Sequence, residues 1–280
     1  MVIVRASDPL VPSDNAQLFL REVYIYMTCG LLLSGLVAYL DERSGFYAAL
    51  EKIPGLLMTV LAAPLALVVL LSYRIEKLNL TMAHCIFWIY AALVGLSVSG
   101  IFELYTGASV ARTFFITAGT FATMSVYGYV THRDLSPFGS VLLMGIAALI
   151  ITSLINLAFA STPLQVALEI IGAAVFIALT AYDTQHIKEL YRGRDNTVVA
   201  GKKAIIGALT LYLDCVNLFL SLLQLRRWGF ALMRYSHRMA AWSRLLVSGK
   251  RRSKQTLRHS ARRSMRWLRV KFAPQKNVSG

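Results

Sequence analysis

Long apolar runs separated by short polar connections dominate the first 225 residues of this chain. A helix needs about 20 apolar residues to cross about 30 Å of hydrocarbon. Seven segments approach that length, at 22–40, 56–73, 80–102, 110–130, 138–160, 164–185 and 204–225. This pattern predicts an all-α membrane protein with three parts: an N-terminal segment (1–21), a transmembrane domain (22–225) and a C-terminal tail (226–280).

The last apolar segment carries a continuous polar stripe. Small or polar residues recur at spacings of three and four, which places them on one face of a helix. They are Gly207, Thr210, Asp214, Asn217, Ser221 and Gln224. Lipid cannot face such a stripe, so we expect it to face other helices or water.

The sixth segment has a matching polar face that includes Glu169, Asp183 and His186. Glu169 and Asp183 are 14 residues apart, which is about 21 Å along a helix. Asp183 lies near the end of its segment, and Asp214 lies in the next segment, which starts from the same side. The two carboxyl groups are therefore expected to meet in one leaflet.

A carboxylate pair inside a membrane has a limited set of roles. An ionised, unpaired Asp at the bilayer centre costs roughly 2.5–3.5 kcal/mol on insertion scales. Two neighbouring carboxyl groups titrate as a pair, and their oxygens suit Ca²⁺ or H⁺ better than a soft metal. We therefore assign a proton- or cation-binding role to Asp183 and Asp214. The alternative is that the stripe makes inert hydrogen bonds between helices.

Composition agrees with a membrane location: 56% of the residues are hydrophobic and 15% are charged, against about 25% charged in soluble domains. The charge is uneven, because 226–280 holds 16 Lys and Arg and no acidic residue. Lys and Arg in the short connections favour a cytoplasmic N-terminus. Seven spans would then place the basic tail outside, whereas six spans and a re-entrant seventh segment would keep it inside.

The tail itself shows helical periodicity. Aromatic and aliphatic residues recur every three or four positions with arginines between them, as at Trp228, Arg234, Arg238 and Trp242. This pattern predicts basic amphipathic helices on an anionic bilayer surface. A nucleic acid or other acidic partner and a solvated extension are the alternatives, and nucleic acid is the less favoured of the binding partners.

Two motifs resemble the most characteristic ones of the Bax inhibitor-1 family: TAYDTQHIKELY at 180–191 and ALTLYLDCVNLFLSLLQL at 208–225. The region 99–146 is also similar to that family. The resemblance covers roughly 20–225, is closest to bacterial members and does not extend to the basic tail.

The resemblance implies seven transmembrane helices, with the seventh enclosed by the other six, and so favours seven spans. It also implies a pH-sensitive calcium leak across a bacterial inner membrane, controlled by an aspartate pair that matches Asp183 and Asp214. An arginine that pairs with the first aspartate in the closed state is matched by Arg74. Some bacterial relatives instead regulate an FtsH-type membrane protease.

The sequence therefore predicts a cation leak in which Asp183 and Asp214 form the pH sensor and transient Ca²⁺ site. Arg74 is a candidate latch. The candidate path-lining residues are Thr210, Asn217, Ser221, Glu169 and His186. A non-conducting regulator that binds a membrane protease or another membrane partner is the alternative. An enzyme is not expected, because the chain lacks a nucleophile–base pairing, a phosphate loop or a His/Cys metal cluster. No cofactor is expected beyond Ca²⁺ as the transported ion.

Overall fold

A computed structural model describes residues 14–53, 55–75, 77–190 and 196–226 of the chain. These residues form helices and short connections, with no strand among them. The helices are α1 (Asp14–Ser44), α2 (Phe46–Glu51), α3 (Leu56–Arg74), α4 (Leu80–Ser99), α5 (Ile101–Leu104), α6 (Gly107–Val130), α7 (Ser136–Phe159), α8 (Thr162–Leu190) and α9 (Thr197–Arg226). The predicted tail, including Trp228, Arg234, Arg238 and Trp242, lies outside the described residues.

Six of the described helical segments are long and apolar enough to cross a membrane: Gln17–Ser44, Leu56–Arg74, Leu80–Leu104, Ser136–Phe159, Thr162–Leu190 and Thr197–Arg226. The protein is therefore a multi-pass integral membrane protein, as the sequence predicts. Each of the seven predicted segments overlaps a long helix, but α6 is not among the six candidate spans. Threonine, serine and glycine lower its apolar character.

Most of the long helices extend beyond the predicted segments, although α4 ends at Ser99, before the predicted 102. The first was expected to begin at residue 22, whereas α1 begins at Asp14. The last was expected to begin at residue 204, whereas α9 begins at Thr197. Apolar runs mark the hydrocarbon-crossing part of a helix, and polar residues continue the same helix beyond it.

Successive long helices run in opposite directions, as three contacts at the end that holds the start of α1 indicate. Tyr24 of α1 hydrogen-bonds Thr184 near the end of α8, at 3.2 Å. Lys188 of α8 hydrogen-bonds the carbonyl of Tyr129 near the end of α6, at 3.2 Å. Leu80, the first residue of α4, packs against Gly201 near the start of α9. We call this the first end of the bundle and the other the second end.

The core lies around α9. More than half of its apolar window, 56%, is buried, against 39% for α8 and 6% for α7. No residue from 201 to 226 is exposed. Tyr212 is fully buried and packs edge-on against Phe87 and Tyr90 of α4, with ring centroids 6.5 and 5.5 Å apart.

A hydrogen-bond relay joins α1, α4 and α9. The hydroxyl of Tyr212 donates to Ser34 Oγ at 2.6 Å, and Ser34 Oγ donates to the carbonyl of Ala91 at 2.6 Å. Gly95 makes this possible, because a Cβ there would lie 2.5 Å from the carbonyl oxygen of Ser34. Small residues at such crossings let membrane helices approach closely.

Candidate functional site

The polar stripe of α9 faces α8 in antiparallel register. Gln165 near the start of α8 hydrogen-bonds Gln224 near the end of α9, at 3.3 Å. A Cβ on Gly172 would lie 3.1 Å from Ser221 Oγ, and one on Gly207 would lie 3.2 Å from Ile187. The stripe therefore contacts a partner helix along its length instead of facing lipid.

Asp183 and Asp214 meet across this interface, close enough for their carboxyl groups to interact. Asp214 is only 4% exposed, and no donor among the described residues reaches its Oδ2. Because a carboxylate can only accept hydrogen bonds, a contact between two carboxyl groups needs a proton between them. Without that proton, the pair presents two negative charges to any cation that reaches it.

Hydroxyl groups of three helices surround the turn of α8 that carries Asp183. Thr184 Oγ1 donates to the carbonyl of Thr180 at 2.7 Å, so the hydroxyl of Tyr24 donates to Thr184. Ser125 of α6 lies 3.5 Å from the same hydroxyl. These contacts connect α1, α6 and α8 beside the carboxyl pair.

His186, one turn after Asp183, is exposed. Its ring stacks on that of Tyr182, with centroids 5.9 Å apart and planes 4° from parallel. It lies close enough to Asp183 for an electrostatic interaction. Its exposure places it at the edge of the site, not within the α8–α9 interface.

Arg74 is exposed at the end of α3. Among the described residues, the groups that interact with the carboxyl of Asp183 are Asp214 and His186. The structure thus does not bring Arg74 to the pair, and its role as a latch stays a prediction.

Two of the remaining predicted stripe residues donate to the backbone of their own helix. Thr210 Oγ1 donates to the carbonyl of Ile206 at 3.1 Å, and Asn217 Nδ2 donates to the carbonyl of Leu213 at 2.9 Å. Ser221 is 8% exposed and faces Gly172. Such bonds back to the preceding turn leave the acceptor oxygens of these side chains available on the stripe.

A second polar cluster occupies the second end of the α8–α9 interface, and we call it the amide cluster. Gln165 Nε2 donates to Glu169 Oε1 at 2.5 Å and to Gln224 Oε1 at 3.3 Å. Asn156 of α7 donates from Nδ2 to Gln165 Oε1 at 2.9 Å, and its Oδ1 accepts from the backbone N–H of Ser161 at 3.0 Å. Glu169, predicted to line a path, is 7% exposed within this network.

Tyr47 lies outside the candidate spans, and its backbone N–H donates to the carboxyl of Asp41 at 3.0 Å. Partial burial raises the pKa of Tyr47, and the negative charges of Glu103, Glu51 and Asp41 raise it further. No group of three or more His, Cys, Asp and Glu side chains that could hold a metal ion occurs among the described residues.

Comparison with known proteins identifies the chain. A family model described as "Inhibitor of apoptosis-promoting Bax1" matches residues 16–233. This protein belongs to the Bax inhibitor-1 family. The predicted resemblance is thereby confirmed.

Curated relatives from diverse bacteria match most of the chain. Inner membrane protein YbhL of Escherichia coli (strain K12) is 44% identical over 225 residues, which are 78% of this chain and 95% of that protein. Uncharacterized protein RP147 of Rickettsia prowazekii is 42% identical over 211 residues, 75% of this chain and 89% of that one. Uncharacterized protein YrjE of Lactococcus lactis is 35% identical over 219 residues, 76% and 92% of the two chains.

Sequence reasoning missed most of the amide cluster of this family member. Asn156 and Gln165 are isolated polar residues in or beside apolar runs, so neither stood out. A usable signal was present, because Gln165 precedes Glu169 by four residues, which places their side chains on one face of α8.

Proposed function

We propose that this protein is a pH-sensitive cation leak, with Ca²⁺ as the transported ion, in which Asp183 and Asp214 form the gate. One observation carries the proposal: two carboxyl groups meet within the interface of the most buried helix, and Oδ2 of Asp214 has no donor among the described residues. Apolar packing would stabilise that interface without them, so the carboxyl pair has no evident structural need.

Protonation supplies the pH sensitivity. With a proton between them, the carboxyl groups hold α8 and α9 together and offer little negative charge to a cation. When both ionise, they repel one another, and their oxygens become ligands of the kind that Ca²⁺ takes. Acceptor oxygens of Thr210, Asn217 and Ser221 line the rest of the proposed path along α9.

The proposed topology has seven spans, with α6 as the span that lies outside the six apolar candidates and α9 enclosed by the others. In its support, α6 packs along α8 and buries its Thr113, Thr117 and Ser125 face there. Successive long helices also begin at opposite ends of the bundle. We place the N-terminus in the cytoplasm by the excess of Lys and Arg, and the protein in the inner membrane by analogy with its relative from Escherichia coli.

Calcium flux into proteoliposomes, measured over a pH series with an enclosed indicator, tests the gate. Asp183→Asn and Asp214→Asn should each change the flux by about tenfold, a difference of about 1.4 kcal/mol in the barrier, and should abolish its pH response. Asp134→Asn is the matched control, because Asp134 lies in a connection outside the candidate spans. If both variants keep the flux and pH response of the wild type, the proposed gate is wrong.

Arg74 is tested in the same assay as a latch that pairs with Asp183 in a closed state. Arg74→Gln should raise the flux at the pH where the wild type conducts least, because a neutral side chain cannot hold Asp183. Arg112→Gln serves as the control arginine. An absence of wild-type flux, together with a stable complex with a membrane protease, would favour the non-conducting regulator.

A further inference from the structure

A groove of about 470 Å³ separates α1 from α6 near the first end of the bundle. Its floor includes the buried side chains of Leu20, Met27 and Phe121, and its rim includes the exposed Ala122 and Val126. These positions recur at helical spacing, so the groove follows one face of each helix. α1 packs on α4 whereas α6 packs on α8, and the groove is the space left between these two pairs.

The groove lies beside a membrane-spanning helix, which decides what can fill it. α1 is one of the candidate spans, and most of the groove lining is apolar. An apolar cavity does not hold water but does take up an apolar ligand. In a bilayer, the apolar molecule at hand is a lipid acyl chain.

The end of the groove at Tyr129 is cationic. Lys188 Nζ donates to the carbonyl of Tyr129 at 3.2 Å and lies 5.1 Å from the centroid of the Tyr129 ring. No carboxylate among the described residues pairs with Lys188. Arg21, four residues after the groove residue Gln17, is exposed on α1. Lysine and arginine at the ends of membrane helices reach toward the headgroups.

We propose that this groove binds one acyl chain of an anionic phospholipid, whose phosphate is held by Lys188. The acyl chain fills the apolar floor, and the cation at the end of the groove selects the headgroup by charge complementarity. Tyr24 and Ser125 line the groove and also contact Thr184, the neighbour of Asp183. A bound lipid therefore contacts the side chains that support the carboxyl pair.

Photo-crosslinking in proteoliposomes tests the site without any measurement of ion flux. The probe is phosphatidylglycerol with a diazirine in one acyl chain, and the adducts are mapped by peptide mass spectrometry. We expect adducts to concentrate on 17–27 and 121–129, above the level on the exposed face of α7. An even distribution over α7 and the groove helices would overturn the proposal.

Two variants sharpen the test. Ala122→Trp fills the groove and should remove most of the groove adducts, whereas Ala148→Trp, at an exposed position of α7, should leave them unchanged. Val126→Trp replaces Ala122→Trp if the latter does not elute like the wild type in size-exclusion chromatography. Groove adducts that persist in the filled variant would show that the acyl chain does not lie there.

Lys188→Gln tests the headgroup contact. It should lower the preference for phosphatidylglycerol over a phosphatidylcholine probe by about fivefold, the factor expected from one interfacial cation. Equal labelling by the two probes in the wild type would refute the selection of an anionic headgroup. Loss of the adducts in excess free fatty acid, but not in excess unlabelled phosphatidylglycerol, would identify a fatty acid as the occupant and refute the phospholipid.

Discussion

The two ends of the α8–α9 interface bury carboxyl groups in different ways. At the second end, Glu169 accepts a hydrogen bond from Gln165, which is itself held by Asn156 and Gln224. At the first end, Asp183 and Asp214 face each other, and no donor among the described residues reaches Oδ2 of Asp214.

This difference distinguishes the amide cluster, which is a structural contact, from the carboxyl pair, which is the candidate site. Amide groups carry both donors and acceptors, so the network around Glu169 is satisfied without any change of protonation. A carboxyl pair is satisfied only when a proton or a cation lies between its members. A buried group with incomplete partners needs a physical explanation, and proton or cation binding supplies one, which is why we propose the gate at the carboxyl pair.

The largest effect on stability is expected from Gln165→Leu in the amide cluster. The change leaves a buried carboxyl oxygen of Glu169 and the Nδ2 of Asn156 without their partner, at a cost of about 3 kcal/mol. Unfolding by SDS titration in mixed micelles measures it, with Gln17→Leu, at an exposed glutamine of α1, as the control. A change no larger than that of the control would mean that the network does not hold α7, α8 and α9 together.

A smaller loss, about 2 kcal/mol, is expected from Gly128→Ala near the first end, because overpacking a close contact typically costs 1–3 kcal/mol. The new Cβ would collide with the backbone carbonyl of Ala181, two residues before Asp183. Gly172→Ala is the matched change toward the second end, where the nearest atom is the rotatable Ser221 Oγ at 3.1 Å. Gly128→Ala should therefore have the lower melting temperature in detergent. Equal melting temperatures would show that the backbone contact at Gly128 adjusts as easily as the side-chain contact at Gly172.

Glu169→Gln should cost about 1 kcal/mol, because an amide nitrogen that needs its own acceptor replaces one of the carboxyl oxygens. Asp214→Asn should cost less, since its amide can donate to Asp183 and removes the need for a shared proton. Steric trapping in bicelles can resolve this difference. A larger loss of stability for Asp214→Asn than for Glu169→Gln would contradict the structural role of Glu169 and the proposed gating role of Asp214.

The smallest effect is expected from Tyr24→Phe, which removes the hydrogen bond to Thr184. Interhelical hydrogen bonds in membrane proteins average about 0.6 kcal/mol, so the free energy of unfolding should fall by about that amount. Hydrogen exchange of the last turns of α8 provides a local readout, with Tyr127→Phe, at an exposed tyrosine of α6, as the control. Unchanged exchange would show that the hydroxyl does not support the turn that carries Asp183.

The sequence pattern predicted the carboxyl pair, toward the first end of the α8–α9 interface, better than the amide cluster at the second end. The spacing of Asp214 within its stripe and the position of Asp183 near the following connection were enough to predict their meeting, because consecutive helices pack side by side. The amide cluster was harder to predict, since Asn156 and Gln165 are neutral and lie near the ends of their apolar runs. The groove could not be predicted at all, because it depends on the separation of α1 and α6, which are far apart in sequence.

Hydropathy alone does not select α6 as a candidate span. Its Thr113, Thr117 and Ser125 are buried and two of them bond to their own backbone, so they do not expose polarity to lipid. A hydropathy threshold weighs these residues equally wherever they face. For this reason, a helix that packs its polar side inward can resemble a weak span.

The relay from Tyr212 through Ser34 to Ala91 has a mechanical consequence for the whole bundle. It joins α9 to α1 and α4, while α6 and α7 pack on α8, so the helices form two groups that meet at the α8–α9 interface and at the contact of Tyr24 with Thr184. Relative displacement of the groups needs no helix to bend or unwind, but it requires the Tyr24–Thr184 hydrogen bond to break. The carboxyl pair lies within the α8–α9 contact, so the proposed gate would act directly where the two groups touch.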